Sequence, residues 1–88
     1  MASYSVEFKP SVHKDFRRLP KSVVQRAMRR IEELGENPFP QGVEKLEGAH
    51  QLYRIRLGNY RIVYEVDTRA RRITVMYVRH RREVYRAL

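Results

Sequence analysis

Apolar and polar residues alternate along Ser3–Phe8 (Ser-Tyr-Ser-Val-Glu-Phe), the period of two that a strand requires. After Pro10 the period changes. Ser11 is a candidate N-cap, and Val12, Phe16 and Leu19 recur at helical spacing, predicting a short first helix interrupted by Pro20. Val24, Ala27, Met28, Ile31 and Leu34 mark one apolar face of a second helix. Gly35 is expected to cap its C-terminus, and Asn37-Pro38 blocks continuation. Only Pro20-Lys21-Ser22 separates the two helices, which predicts an antiparallel helical hairpin. Asn37–Gly42 reads as a loop and Val43–Ala49 as mostly irregular. Strands are predicted at Tyr53–Leu57, Tyr60–Val66 and Arg72–Arg79, with Asp67–Arg71 as a turn and Arg81–Leu88 as a tail. The order β-α-α-β-β-β predicts an α+β fold: an antiparallel twisted sheet whose apolar face, with Tyr60, Ile62, Tyr64 and Val66, packs against the N-terminal helical hairpin. No repeat or linker divides residues 1–88, so a single domain is expected.

The same alternation places charge. Gly58-Asn59 is a two-residue hairpin signal, so Leu57 faces Tyr60 and Arg56 faces Arg61. Arg54, Arg56 and Arg61 then share one face, while Tyr53, Ile55 and Leu57 take the other. Like charges opposed across a ladder are destabilising, so the cluster points to a polyanionic ligand. The register of the last strand depends on its turn. A five-residue turn sets Ile62 opposite Met76, Tyr60 opposite Val78 and Tyr77 opposite Arg61, with Arg79 on the arginine face. A four-residue turn flips the strand over. The five-residue register is preferred because it keeps Met76 and Val78 with the core.

Composition narrows the function. The formal net charge of +9 favours nucleic acid, an acidic protein or an anionic membrane surface. Membrane insertion is not expected, since no apolar run approaches the roughly 20 residues of a spanning helix. No secretory leader is visible, so the cytoplasm is the expected compartment. The chain has no cysteine, and His13, His50 and His80 lack metal-ligand spacing, so neither a metal nor another cofactor is expected. His13 and His50 read as surface residues. Arg26, Arg29 and Arg30 read mostly as a solvated helix face, able also to touch RNA.

A sheet face bearing Arg54, Arg56, Arg61 and Arg79 suits a phosphodiester, because the guanidinium fork matches phosphate oxygens. It also suits stabilisation of the charge that develops on phosphorus during strand cleavage. Without a metal, the simplest cleavage uses RNA's own 2′-hydroxyl, which needs a base, a charge stabiliser and an acid. Arginine does not serve as a base. Lys45, His80 and Tyr85 are the candidates, although the preferred register sends His80 to the opposite face unless the strand ends at Arg79. Tyr77 is the tyrosine best placed to stack on a base.

Several stretches together resemble the RelE family of bacterial and archaeal toxins. They are the Phe8 strand, the basic helical hairpin, Lys45-Leu46, the hairpin Tyr53-Arg54-Ile55-Arg56-Leu57-Gly58-Asn59-Tyr60-Arg61-Ile62-Val63-Tyr64 and the tail Arg79-His80-Arg81-Arg82-Glu83-Val84-Tyr85. The resemblance covers nearly the whole chain. It implies a ribosome-dependent endoribonuclease that cuts mRNA in the 30S A site, leaving a 2′,3′-cyclic phosphate and a 5′-hydroxyl. It also implies an acidic RelB-type antitoxin, with operator DNA bound only through the toxin–antitoxin complex. Carried over by position, Arg56, Arg61, Arg79 and Tyr85 are catalytic. Lys45, Arg54, Tyr77, His80 and Arg81 are RNA-binding. Arg56 stands where well-studied relatives have a lysine credited as general base. The tail ending at Leu88 leaves no room for the extra C-terminal helix of some relatives, so inhibition is expected to rely on covering the arginine face. Two other readings compete: a ParE-like toxin of the same fold that inhibits DNA gyrase, and an inactive nucleic-acid-binding homologue.

Overall fold

Among the described residues the two periods of the sequence resolve into strand β1 (Ser5–Phe8), helices α1 (Ser11–Arg17) and α2 (Lys21–Glu36), and strands β2 (Glu44–Lys45), β3 (Leu52–Leu57), β4 (Tyr60–Asp67) and β5 (Arg72–His80). The structure is a computed structural model and describes residues 3–48 and 51–82. The strands form one five-stranded sheet in the order β1-β5-β4-β3-β2. The meander β3-β4-β5 is antiparallel as expected, and the two residues of β2 extend it at one edge. At the other edge β1 runs parallel to β5, with Val6 beside Ile73 and Phe8 beside Val75.

Both helices cover one sheet face. Val12, Val23, Ala27, Ile31 and Leu34 from the helices join Ile55, Leu57, Ile62, Tyr64, Val66, Ile73, Val75 and Val78 in one buried cluster. The buried stripe of α2 runs through Val23 rather than Val24, and Met28 is 39% exposed. Either stripe satisfies a 3.6-residue period, so the choice lies in the docking of the helix and not in its own pattern. Gly35 is likewise not a left-handed cap. It sits buried inside α2, where Tyr4 N–H donates to its carbonyl at 2.8 Å. A Cβ there would lie 3.3 Å from Tyr4 O, so the glycine allows a close backbone approach. Ser11 is already helical, and the position before it, Pro10, makes no side-chain cap.

The last turn has four residues rather than five, because Asp67 and Arg72 are paired. Asp67 Oδ1 accepts the N–H groups of Arg69 and Ala70 at 3.1 and 3.0 Å, and Arg71 takes a φ of 52°. A side-chain-capped turn of this kind sets its own length. The short turn brings Ile73 and Val75 into the core opposite Val66 and Tyr64. A bulge then leaves Met76 without a cross-strand partner, and pairing resumes as Val63–Tyr77, Ile62–Val78, Arg61–Arg79 and Tyr60–His80. The extra residue reverses the parity of the strand end. Val78 thus faces the core, and Arg79 still reaches the arginine face, by a different register from the one expected.

Tyr64 ties the loop after α2 to the sheet. Its hydroxyl donates to the Pro38 carbonyl at 2.7 Å, and burial pushes its pKa up. Phe39 packs edge-on against Tyr53 at 5.1 Å. Replacing Tyr64 with Phe leaves the buried Pro38 carbonyl without its donor. It is expected to cost about 1–3 kcal/mol of stability, read as a lower denaturant midpoint with unchanged slope.

Candidate functional site

The sheet face away from the helices carries a row of arginines. Register sets Arg56 directly opposite Arg61, and Arg61 directly opposite Arg79, across three strands. One step along the strands the facing row is Arg54, Val63 and Tyr77, with Glu44 beside Arg54. Opposed residues of antiparallel strands have Cβ atoms about 5 Å apart, and like charges placed directly opposite each other are destabilising. An anion laid across the row removes that cost.

Each arginine is held differently. Arg61 is only 7% exposed and turns back on the hairpin, donating from Nη1 to Tyr60 O at 3.0 Å and Gly58 O at 3.3 Å. It has no carboxylate partner among the described residues. Arg79 donates from Nε to Asp15 Oδ1 at 3.0 Å, and its Cζ lies 4.4 Å from the centroid of the Tyr77 ring. Lys9 Nζ approaches the same ring at 6.0 Å. Arg54 pairs with Glu44 Oε2 at 3.0 Å. Hydrogen bonding to Arg54, and then its charge, hold the Glu44 carboxyl below its ordinary range. Arg56 is exposed.

Two of the expected site residues are not brought to this row. Lys45 pairs with Tyr53, so register places it on the other face, at the exposed edge. Strand β5 does not stop at Arg79 but runs through His80, which pairs with Tyr60. The His80 ring meets the Tyr60 ring edge-on at 5.6 Å, on the face opposite the arginines. Tyr77 is on the arginine face, as expected. Arg81 lies just past the strand, and its backbone N–H donates to Asn59 O at 2.9 Å. Tyr85 lies outside the described residues, as does His50.

Two neighbours of the row come from the helices, and of these only Asp15 was not singled out by the sequence. Arg26 of α2 reaches the hairpin turn: its Nη2 lies 3.5 Å from where a Cβ on Gly58 would be. Asp15 is the second. A carboxylate on the stripe of Val12, Phe16 and Leu19 was the available signal, because a buried acid needs a partner. Asp15, Arg18, Leu19, Tyr60, Val78, Arg79 and His80 line a cleft of about 290 Å³ at the end of β5. Another cleft, of about 320 Å³ between the end of α2 and the following loop, shares no residue with the arginine row.

A family model described as the ParE toxin of type II toxin-antitoxin system, parDE, matches residues 6–85. Toxin RelE3 of Methanocaldococcus jannaschii is 34% identical over 84 residues, covering 91% of this chain and 93% of the relative. Among solved structures, the archaeal RelE–RelB complex from Pyrococcus horikoshii superposes with a TM-score of 0.79 at 33% identity, over 90% of this chain and 96% of that one. An arginine-substituted E. coli toxin RelE in the free state gives a TM-score of 0.80 at 28% identity, over 96% of this chain and 92% of that one.

The Arg54–Glu44 pair makes a pH-dependent prediction. Because the folded carboxyl titrates below the ordinary value of 4.5, its contribution to stability is present above that value and is lost as pH falls through the depressed one. A carboxyl-detected NMR titration should place the Glu44 midpoint below 4.5, and Arg54→Ala should return it toward 4.5. A midpoint unmoved by that substitution would contradict the pairing.

Proposed function

The chain belongs to the RelE family of type II toxins, and from that premise we propose that it is a ribosome-dependent endoribonuclease acting on mRNA in the 30S A site. The observation that carries the proposal is the Arg56–Arg61–Arg79 row, directly opposed across three strands. In the reaction, the ribose 2′-hydroxyl loses its proton and attacks the adjacent phosphorus. The bond to the 5′-oxygen of the next nucleotide breaks, and that oxygen takes up a proton. The products are a 2′,3′-cyclic phosphate and a 5′-hydroxyl, a route that needs no metal or other cofactor.

The role of the row is electrostatic. Negative charge on the phosphoryl oxygens rises toward the transition state, and donors already fixed at those oxygens stabilise it more than the ground state. Arg61 and Arg79 are the stabilisers, with Arg54 and Arg56 positioning the RNA backbone. Tyr77 offers a ring for stacking beside them. The row supplies no base. Lys45 and His80 belong to the other face by register, so their assigned part is contact with RNA around the site, together with Arg81. Tyr85 follows Arg79 in the chain and is left as the proton-transfer candidate in this reading.

The partner is an acidic RelB-type antitoxin. Relatives solved as RelE–RelB complexes support this, as does a charge of +9 that an acidic segment neutralises. Operator DNA is then reached only through that complex. In this reading a single domain of residues 1–88 acts in the cytoplasm, where ribosomes and mRNA are found. The matched family model bears the ParE name, which favours a second reading, inhibition of DNA gyrase.

Two measurements test these readings. Translating ribosomes treated with the purified protein should yield A-site cuts mapped by primer extension. Arg61→Ala and Arg79→Ala should each slow cutting by about a hundredfold or more while keeping the circular dichroism of the parent. Undiminished cutting by both variants would sink the assignment, and gyrase inhibition without cutting would move it to the second reading. Separately, the affinity of the antitoxin complex should fall as salt is raised from about 0.05 M to 0.5 M. Affinity independent of salt would remove the electrostatic interface.

A further inference from the structure

We propose that Asp15 is a positioning residue for the phosphate site, holding the Arg79 guanidinium so that its two Nη groups face the RNA. The inference rests on the reading of the arginine row given above, and goes beyond it in assigning a task to a carboxylate on the helix side of the sheet.

Asp15 is 5% exposed on α1. Burying a carboxylate is unfavourable unless both oxygens are satisfied. Here the two oxygens have separate partners: Oδ2 accepts the backbone N–H of Val78 at 3.2 Å, and Oδ1 accepts Arg79 Nε–H at 3.0 Å. The first bond has a topological reason. Strand β1 ends at Phe8, opposite Val75, and Lys9 N–H makes the next bond to Val75 O. Past that point β5 has lost its parallel neighbour. Helix α1 takes the place of the strand, and Asp15 accepts the edge donor at Val78.

A neutral acceptor of the same length, the amide oxygen of Asn, would also satisfy that donor. The second bond is what requires charge. It fixes Arg79 at Nε on one side while the Tyr77 ring lies 4.4 Å from Cζ. A guanidinium held at Nε and against one face presents Nη1 and Nη2 together, the end that grips two phosphate oxygens. Asp15 thus couples strand-edge closure to the aim of Arg79. The alternative role for an acid bonded to a catalytic cation is competition with the substrate phosphate, and the two roles predict opposite signs.

Asp15→Asn separates the tasks, because its amide oxygen still serves Val78 N–H while the charge that holds Arg79 is gone. The full-length protein is compared with D15N in two assays. In the first, the Arg79 Nε–Hε signal in a ¹⁵N NMR spectrum should be dispersed and slow to exchange in the parent, and should collapse toward the free-arginine position in D15N. In the second, single-turnover cutting of ribosome-bound message should slow about tenfold or more at saturating ribosomes, with half-saturation changed less than about threefold. D15N must keep the circular dichroism of the parent. If it does not, Asp15→Ser takes its place, with the same outcomes expected.

An unchanged Nε signal, or a variant that cuts as fast as or faster than the parent, overturns the proposal. If the parent leaves message uncut, the reading of the row fails and the effect on rate fails with it. The Nε signal then shows separately whether Asp15 holds Arg79.

Discussion

One residue without a cross-strand partner decides which way Arg79 points. The four-residue turn after β4 sends Ile73 and Val75 into the core. A strand that kept strict alternation from there would carry Tyr77 and Arg79 to the same face, under the helices. The bulge at Met76 reverses the phase, so Val78 fills the core and Arg79 lies beside Arg61. Core packing at both ends of β5 and the continuity of the arginine row therefore depend on the same extra residue. Bulges that re-aim side chains beside a site are a recurring use of this device.

The row is built from rigid parts. Side chains on paired strands are located more tightly than side chains on loops, and here their ends are constrained as well. Backbone carbonyls of the hairpin hold Arg61, the buried Asp15 holds Arg79, and the surface Glu44 holds Arg54. Arg56 remains exposed. Phosphate binding to groups already in place costs little reorganisation, which is where electrostatic stabilisation of a transition state gains its advantage over water. The self-repulsion of the row is the other half of the arrangement: Asp15 offsets it at Arg79, and an anion bound across Arg56 and Arg61 would relieve the rest.

Much of this was legible in the residues. Gly58-Asn59 set the register of β3 against β4, so the shared face of Arg54, Arg56 and Arg61 followed from alternation alone. The RelE resemblance and the fold agree with the comparisons. What alternation missed was set by contacts distant in sequence. Val23 replaces Val24 because two stripes of α2 satisfy the same period. Gly35 reads as a cap until Tyr4 is placed against it. The turn of β5 reads as five residues because the bonds from Asp67 that shorten it, and the bulge that compensates, have no periodic signature. Lys45 and His80 lie on the wrong face for the row because a neighbouring position in a strand is the opposite side of a sheet.

The pairing of β1 with β5 also sets an order in time. Ser5 bonds to Arg71, 66 positions away, and β5 is the central neighbour of both β1 and β4. Contacts of such separation form late, after the loop between them has closed. During synthesis the chain is made from its N-terminus, so the helices and β3–β4 are polymerised before β5 exists. The row has only two of its three opposed arginines until Arg79 is added. Completing the arginine row is thus tied to closing the sheet, since both wait for β5.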